Sequence, residues 1–144
     1  MATNAWSGVD PSAWADNGTK LLTALLRNSV QELATIASTT IPNGGKVPVL
    51  TGDLGRSVVV DDKPPMTTDA AVTGDFSAGI AAIVPGKTVY IGWTRIYARR
   101  QNYGFVGEDS LGRTYNQAGH GFAEDAASQW NAIVARQAAK LRRG

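Results

Sequence analysis

The sequence predicts an α+β fold: an antiparallel sheet of three to four strands packed by a long N-terminal helix and a C-terminal helix. Apolar residues recur at helical spacing near both ends of the chain, and short β-branched or alternating runs fill the middle. Nothing alternates strand with helix in the way a parallel sheet requires. At 144 residues the chain, 1–144, reads as one domain, since single domains span roughly 50–250 residues.

The first element is expected from about Asp10 to Ser38. Asp10-Pro11 supplies an N-cap and a first-turn proline. Leu22, Leu25, Leu26, Val30, Leu33, Ile36 and Ala37 form one stripe, with Lys20, Arg27, Gln31 and Glu32 mostly off it. Gly18 is expected to delay or bend the start, so the well-formed part begins near Thr19. Ile41-Pro-Asn-Gly-Gly-Lys-Val-Pro48 is a loop by composition. Its Gly44-Gly45-Lys46 lacks the spacing and the following hydroxyl of a phosphate loop. Thr51 is placed to cap a single helical turn through Leu54. Val58, Val59 and Val60 read as a strand, closed by Asp61-Asp-Lys-Pro-Pro65, and Thr67 to Asp75 reads as a weak strand at most.

Phe76 to Val84 alternates, so Phe76, Ala78, Ile80, Ala82 and Val84 are expected on one strand face. Pro85-Gly86 turns the chain. Thr88 to Trp93 then returns as the second arm of an antiparallel hairpin, with Val89, Ile91 and Trp93 on the inner side. After Trp93 the spacing becomes helical through Ile96, Ala98 and Tyr103, and Gly104 suits a left-handed helix end. Phe105 to Gly119, with Gly107, Gly112 and mixed charges, reads as an irregular loop at 105–119. A loop that long is functional or disordered, and little apolar burial offsets its ordering entropy. The final helix is expected from Phe122 to about Arg142 on the stripe Phe122, Ala126, Trp130, Ile133, Val134, Ala138 and Leu141. Glu124 and Asp125 in its first turn, and Arg136, Lys140, Arg142 and Arg143 near its end, complement the helix dipole.

The net charge of +2 is unevenly spread: residues 1–94 carry 6 basic and 8 acidic side chains, and residues 95–144 carry 8 and 4. Such polarity favours head-to-tail association or a partner of opposite sign. With no cysteine there is no disulfide framework and no thiolate metal site. Met1-Ala-Thr-Asn-Ala-Trp6 lacks a basic region followed by an apolar run, so no secretory leader is expected. The longest apolar run, Ala78 to Val84, is far short of the ~18 residues that span a bilayer.

Little in the chain points to catalysis. The serine of Gly74-Asp-Phe-Ser-Ala-Gly79 has a spacing one residue too long for a nucleophile elbow. Glu108 and Asp109 are adjacent, whereas a calcium loop needs alternating oxygen ligands. His120, the only histidine, precedes a helix and reads as a capping or packing residue. Neither a nucleophile nor a paired acid and base nor a metal set is visible, so no enzyme and no cofactor are expected. The stretch after Trp93 is different. Arg95, Arg99, Arg100 and Tyr103 sit on a short basic helix behind a strand, a surface suited to something large. Arginine beside aromatics also serves phosphate contact and stacking, which makes a nucleic-acid-binding module the alternative reading.

Three segments carry a family resemblance. Pro48-Val-Leu-Thr-Gly-Asp-Leu-Gly-Arg-Ser57 resembles the Thr-Gly-x-Leu-x-x-Ser segment of the tail-completion, or head–tail joining, proteins of long-tailed bacteriophages (the HK97 gene product 10-like family). In that family the segment leads into the first strand. Tyr97-Ala-Arg-Arg-Gln-Asn-Tyr-Gly104 is similar to its Tyr-Ala-x-x-x-Glu-x-Gly, with Asn102 at the usual glutamate. Gly121-Phe122-Ala-Glu-Asp-Ala126 is similar to the Pro-Phe that opens its last helix, with Gly121 at the usual proline. The likeness covers roughly residues 20–142. It implies a non-enzymatic virion protein at the head–tail junction, made in the host bacterial cytoplasm. Copies would form a ring, typically a hexamer, on the end of the tail tube. The ring would stop tube growth, dock to a head-side connector or stopper protein, and let DNA pass through its lumen; no membrane is involved. The candidate interface is then Arg95, Arg99, Arg100, Asn102, Tyr103, Phe105, Glu108, Asp109 and Arg113.

Overall fold

Helix α1 spans Pro11–Ser38 in the computed structural model, which describes residues 11–49, 52–68, 70–108 and 110–143. The expected caps Asp10 and Thr51 lie outside these residues. The helix passes through Gly18 without a break. Its inner face is Ser29, Val30, Ala34 and Ala37. Residues 11–22 are all exposed, so Leu22, expected in the packed stripe, lies beyond the core. After a 3₁₀ turn at Ile41–Asn43, α2 (Asp53–Arg56) leads into β1 (Val58–Asp61).

β1 pairs antiparallel with β2 (Tyr90–Trp93), setting Val58 opposite Trp93 and Val60 opposite Ile91. Period-2 alternation turns these residues inward. Val58 and Val60 join Val30, Ala34, Ala37, Ile83 and Ala126 in the main core, edged by Val89, Ile91 and Trp93. A second cluster holds Val47, Leu54 and Phe122, with Ala98 and Trp93 against it. Trp93 thus belongs to both.

The segment expected as the first arm of a hairpin is helical instead: α3 spans Ser77–Ala81. The Asp75 carboxylate accepts the Ser77 N–H at 2.9 Å, which satisfies an orphan donor at the helix start. Gly79 lies so close to β1 that a Cβ there would collide with the Val60 carbonyl. The helical turn brings Ile80 and Ile83, which alternation would put on opposite faces, inward together and leaves Val84 44% exposed. The partner of β2 is therefore the remote β1.

Two further corrections follow the chain. Helix α4 (Ala98–Tyr103) is succeeded by β3 (Gly104–Glu108) and β4 (Thr114–Ala118), where an irregular loop at 105–119 was expected. The strands pair antiparallel from Gly104 opposite Ala118 to Glu108 opposite Thr114. Gly104, at φ +90°, allows the sharp exit from α4, and a side chain at Gly119 would strike the Asn102 carbonyl. Hence, among the described residues, two separate sheets of two strands each stand where one sheet of three to four strands was expected. The last helix is divided into α5 (Phe122–Ser128) and α6 (Trp130–Arg143). At the division Ser128 Oγ donates to the Asp125 carbonyl at 2.7 Å and Gln129 Nε2 donates to the Asp125 carboxylate at 3.1 Å. Such side-chain bonds compete with the regular backbone ladder.

Helix α6 packs on α1 and buries Ile133. One carboxylate ties the pair: Glu32 accepts from Arg136 Nη2 at 2.7 Å and from Gln137 Nε2 at 2.9 Å. On the other flank Arg27 Nε donates to the Ile83 carbonyl at 3.2 Å, holding the turn after α3 to α1.

Candidate assembly interface

The nine candidate residues divide by where their side chains go. Arg95 turns inward. Its side chain is 11% exposed, with Nη2 3.8 Å from Asp53 and Nη1 donating to the Thr68 carbonyl at 3.0 Å. A backbone bond from Thr68 to Thr94 (2.9 Å) lies beside it. Arg95 thus clips the 65–68 segment to the end of β2 and to α2. Asn102 is also buried. Its Oδ1 accepts the Ala123 N–H at 2.8 Å, and its Nδ2 donates to both Glu124 oxygens at 3.1 and 2.9 Å. This side chain caps α5 from a distance, and its hydrogen bond holds the Glu124 carboxyl below its ordinary range.

Arg99 and Arg100 are exposed on α4. Arg100 lies over the Phe105 ring, 4.1 Å from its centroid, which fastens the hairpin to the helix by a cation–π contact. A bond from Gln117 Nε2 to Gln101 Oε1 (3.2 Å) adds a second tie. Tyr103 is 67% exposed, and Glu108 and Arg113 are exposed on the hairpin. Asp109 lies outside the described residues. The structure therefore leaves Arg99, Arg100, Tyr103, Glu108 and Arg113 exposed on the ridge that α4 and the hairpin form, sets Phe105 against Arg100 on the hairpin face opposite Glu108, and directs Arg95 and Asn102 to internal tasks.

Sequence reasoning missed the apolar part of this ridge. Val106 is 78% and Leu111 75% exposed. Alternation against Phe105 was the available signal: once Phe105 is held by Arg100, Val106 must face the other way. A cleft of about 430 Å³ lies beside α4, lined by Pro48, Val49, Asp53, Leu54, Tyr97 and Gln101 among others. His120 sits at the approach to α5, its N–H donated to the Gln101 carbonyl at 2.8 Å. Among the described residues no three His, Asp or Glu side chains are grouped to hold a metal ion, and no helix is long and apolar enough to cross a membrane. No family model, no curated protein and no solved structure matches this chain.

Proposed function

We propose that this chain is a structural virion protein of the bacteriophage head–tail junction. It is a tail-completion subunit that forms a ring, caps the tail tube and docks it to the head connector. It works by contact alone, without a cofactor. The observation that carries the reading is the meeting of the three segments that bear the resemblance. Leu54 of the first, Ala98 of the second and Phe122 of the third share one apolar cluster. Asn102 of the second holds the Ala123 N–H and the Glu124 carboxylate of the third. Segments distant in the chain that answer one another side chain by side chain behave as a single unit, as a shared motif order requires.

The partners in this reading are further copies, six to a ring, the tail tube protein, and a connector or stopper on the head side. DNA is only a passenger through the lumen, and the modest net charge of +2 suits a passage that must not bind it tightly. Negative-stain imaging of the pure protein at rising concentration, with and without tail tubes, tests the proposal. Rings with a central hole, seated on tube ends, are expected. A strict monomer at every concentration, tubes included, would falsify it. A DNA titration separates the alternative, because nucleic-acid binding weakens steeply with salt. That alternative has already lost one cation, since Arg95 is engaged with Thr68 and Asp53.

A further inference from the structure

An apolar groove of about 300 Å³ opens beside the main core, walled by Leu26 and Leu33 of α1, Ile83, Val89 and Trp130, with Lys87 at its rim. Small-molecule sites run from about 300 to 1,000 Å³ and carry several converging polar groups. This groove is at the lower limit and has one cation, so it suits aliphatic side chains better than a polar metabolite. Asp61 and Asp62 line the neighbouring cleft on the far side of Lys87, beyond ion-pair distance from it.

The β3–β4 hairpin offers the complementary shape. One face is covered: the Phe105 ring crosses Gly107 beneath Arg100. The other face is open and carries Val106 and Glu108, with Asn116 and Thr114 opposite them. Leu111 projects from the connecting turn. The open hairpin face thus sets Glu108 beside Val106, and the groove sets Lys87 beside its apolar walls, so these two charges are opposite; Arg113 stands immediately before the second strand. Neither Glu108 nor Lys87 forms an ion pair among the described residues.

We propose that the hairpin of one copy seats in the groove of the next, with Val106 and Leu111 against the apolar walls and Glu108 on Lys87. The contact joins two different faces, so it repeats from copy to copy, and a rotation that closes makes the repeat a ring. It rests on the ring reading above and names the surfaces that make the ring. The opposed charges fix register more than they add affinity. One hairpin seated in one groove is expected to leave the free subunit monomeric when dilute and assembled at high concentration or on a tube end.

The chain has no cysteine, so with Lys87→Cys and Glu108→Cys combined every disulfide joins position 87 or 108, and a link between 87 and 108, identified by peptide mapping, reports this contact. Under mild oxidation the double variant should give a ladder of disulfide-linked dimers, trimers and larger species on a non-reducing gel, and each single variant no more than dimers. Separately, Lys87→Glu and Glu108→Lys should each weaken self-association about tenfold by sedimentation, and the two combined should restore it. Both positions are exposed, so the variants should melt like the unaltered chain. If imaging shows rings but the cysteine pair gives no ladder and the reversals change nothing, this contact is wrong and the ring reading stands. If no association occurs at any concentration or on tail tubes, both fall.

Discussion

Trp93 sits where the two apolar clusters meet, its ring edge-on to Phe122 with centroids 4.8 Å apart. Its Nε1–H is donated to the Ala37 carbonyl at 3.2 Å. Truncating a buried aromatic costs roughly 3–5 kcal/mol, and Trp93 is half-buried, so Trp93→Ala should cost about 3 kcal/mol. Trp93→Phe keeps the ring contact and loses the hydrogen bond, which is worth about 1 kcal/mol. Chemical denaturation of both variants checks the order; equal stability of the alanine variant and the parent would show that the clusters do not depend on one another. The inward position of Trp93 was legible because its strand alternates. Arg95 and Asn102 were not legible, and their charge and polarity pointed outward. Their partners Thr68 and Glu124 lie 27 and 22 residues away, and no local pattern marks a contact at that range.

Among the elements, α3 shows how a short alternating run deceives. Alanine, glycine and isoleucine in turn satisfy a strand period over a few residues and a helix turn equally well. The deciding facts were the Asp75 carboxylate bound to the Ser77 N–H and the close approach of Gly79 to Val60. Helix propensity alone would make Gly79→Ala stabilising by about 1 kcal/mol. The collision with the Val60 carbonyl reverses the sign, and overpacking of this kind costs about 1–3 kcal/mol. A thermal melt of Gly79→Ala should therefore move down, and a rise would mean that α3 and β1 part easily. The hairpin was hidden for another reason: its glycines at 104, 107, 112 and 119 looked like loop composition, although they serve sharp exits and close approaches. Helical character at both ends, by contrast, was plain from the stripes, although the division at Gln129 and the packing of α6 on α1 were not; the polar tie between α1 and α6 makes a pH test. Hydrogen bonds from Gln137 and Arg136 lower the Glu32 pKa from its ordinary 4.5. A carboxylate depressed in the folded state contributes stability above its unfolded pKa and loses it as pH falls through the folded value. Stability should thus decline on acidification from about pH 4.5, and Glu32→Gln should flatten that part of the curve in denaturant titrations at stepped pH.

At the scale of the whole molecule, an internal set of ties and an external ridge divide the work. Arg95, Asn102, Glu32 and Arg27 hold elements to one another; Arg99, Arg100 and Tyr103 are exposed, and of these Arg100 also fastens Phe105. The overall class and both terminal helices were readable from periodicity. The separation into two small sheets was not, because it depends on which strand finds which partner across a long stretch of chain. Reversing both exposed arginines to glutamate tests the division of labour. Arg99→Glu removes no side-chain hydrogen bond or ion pair among the described residues. Arg100→Glu removes the cation–π contact with Phe105, worth about 0.5–1 kcal/mol at an exposed site. The double variant should therefore melt within a few degrees of the parent, as exposed substitutions generally do. Its net charge moves from +2 to −2, and like charge then meets like charge wherever this ridge faces an acidic partner, which slows or blocks docking. A complementation assay for infectious particles, run beside the melt, reads the two effects separately. A normal melt with infectivity reduced tenfold or more is the expected pair of results. A normal melt with full infectivity would make these arginines merely solvated and leave the hairpin groove to carry assembly alone.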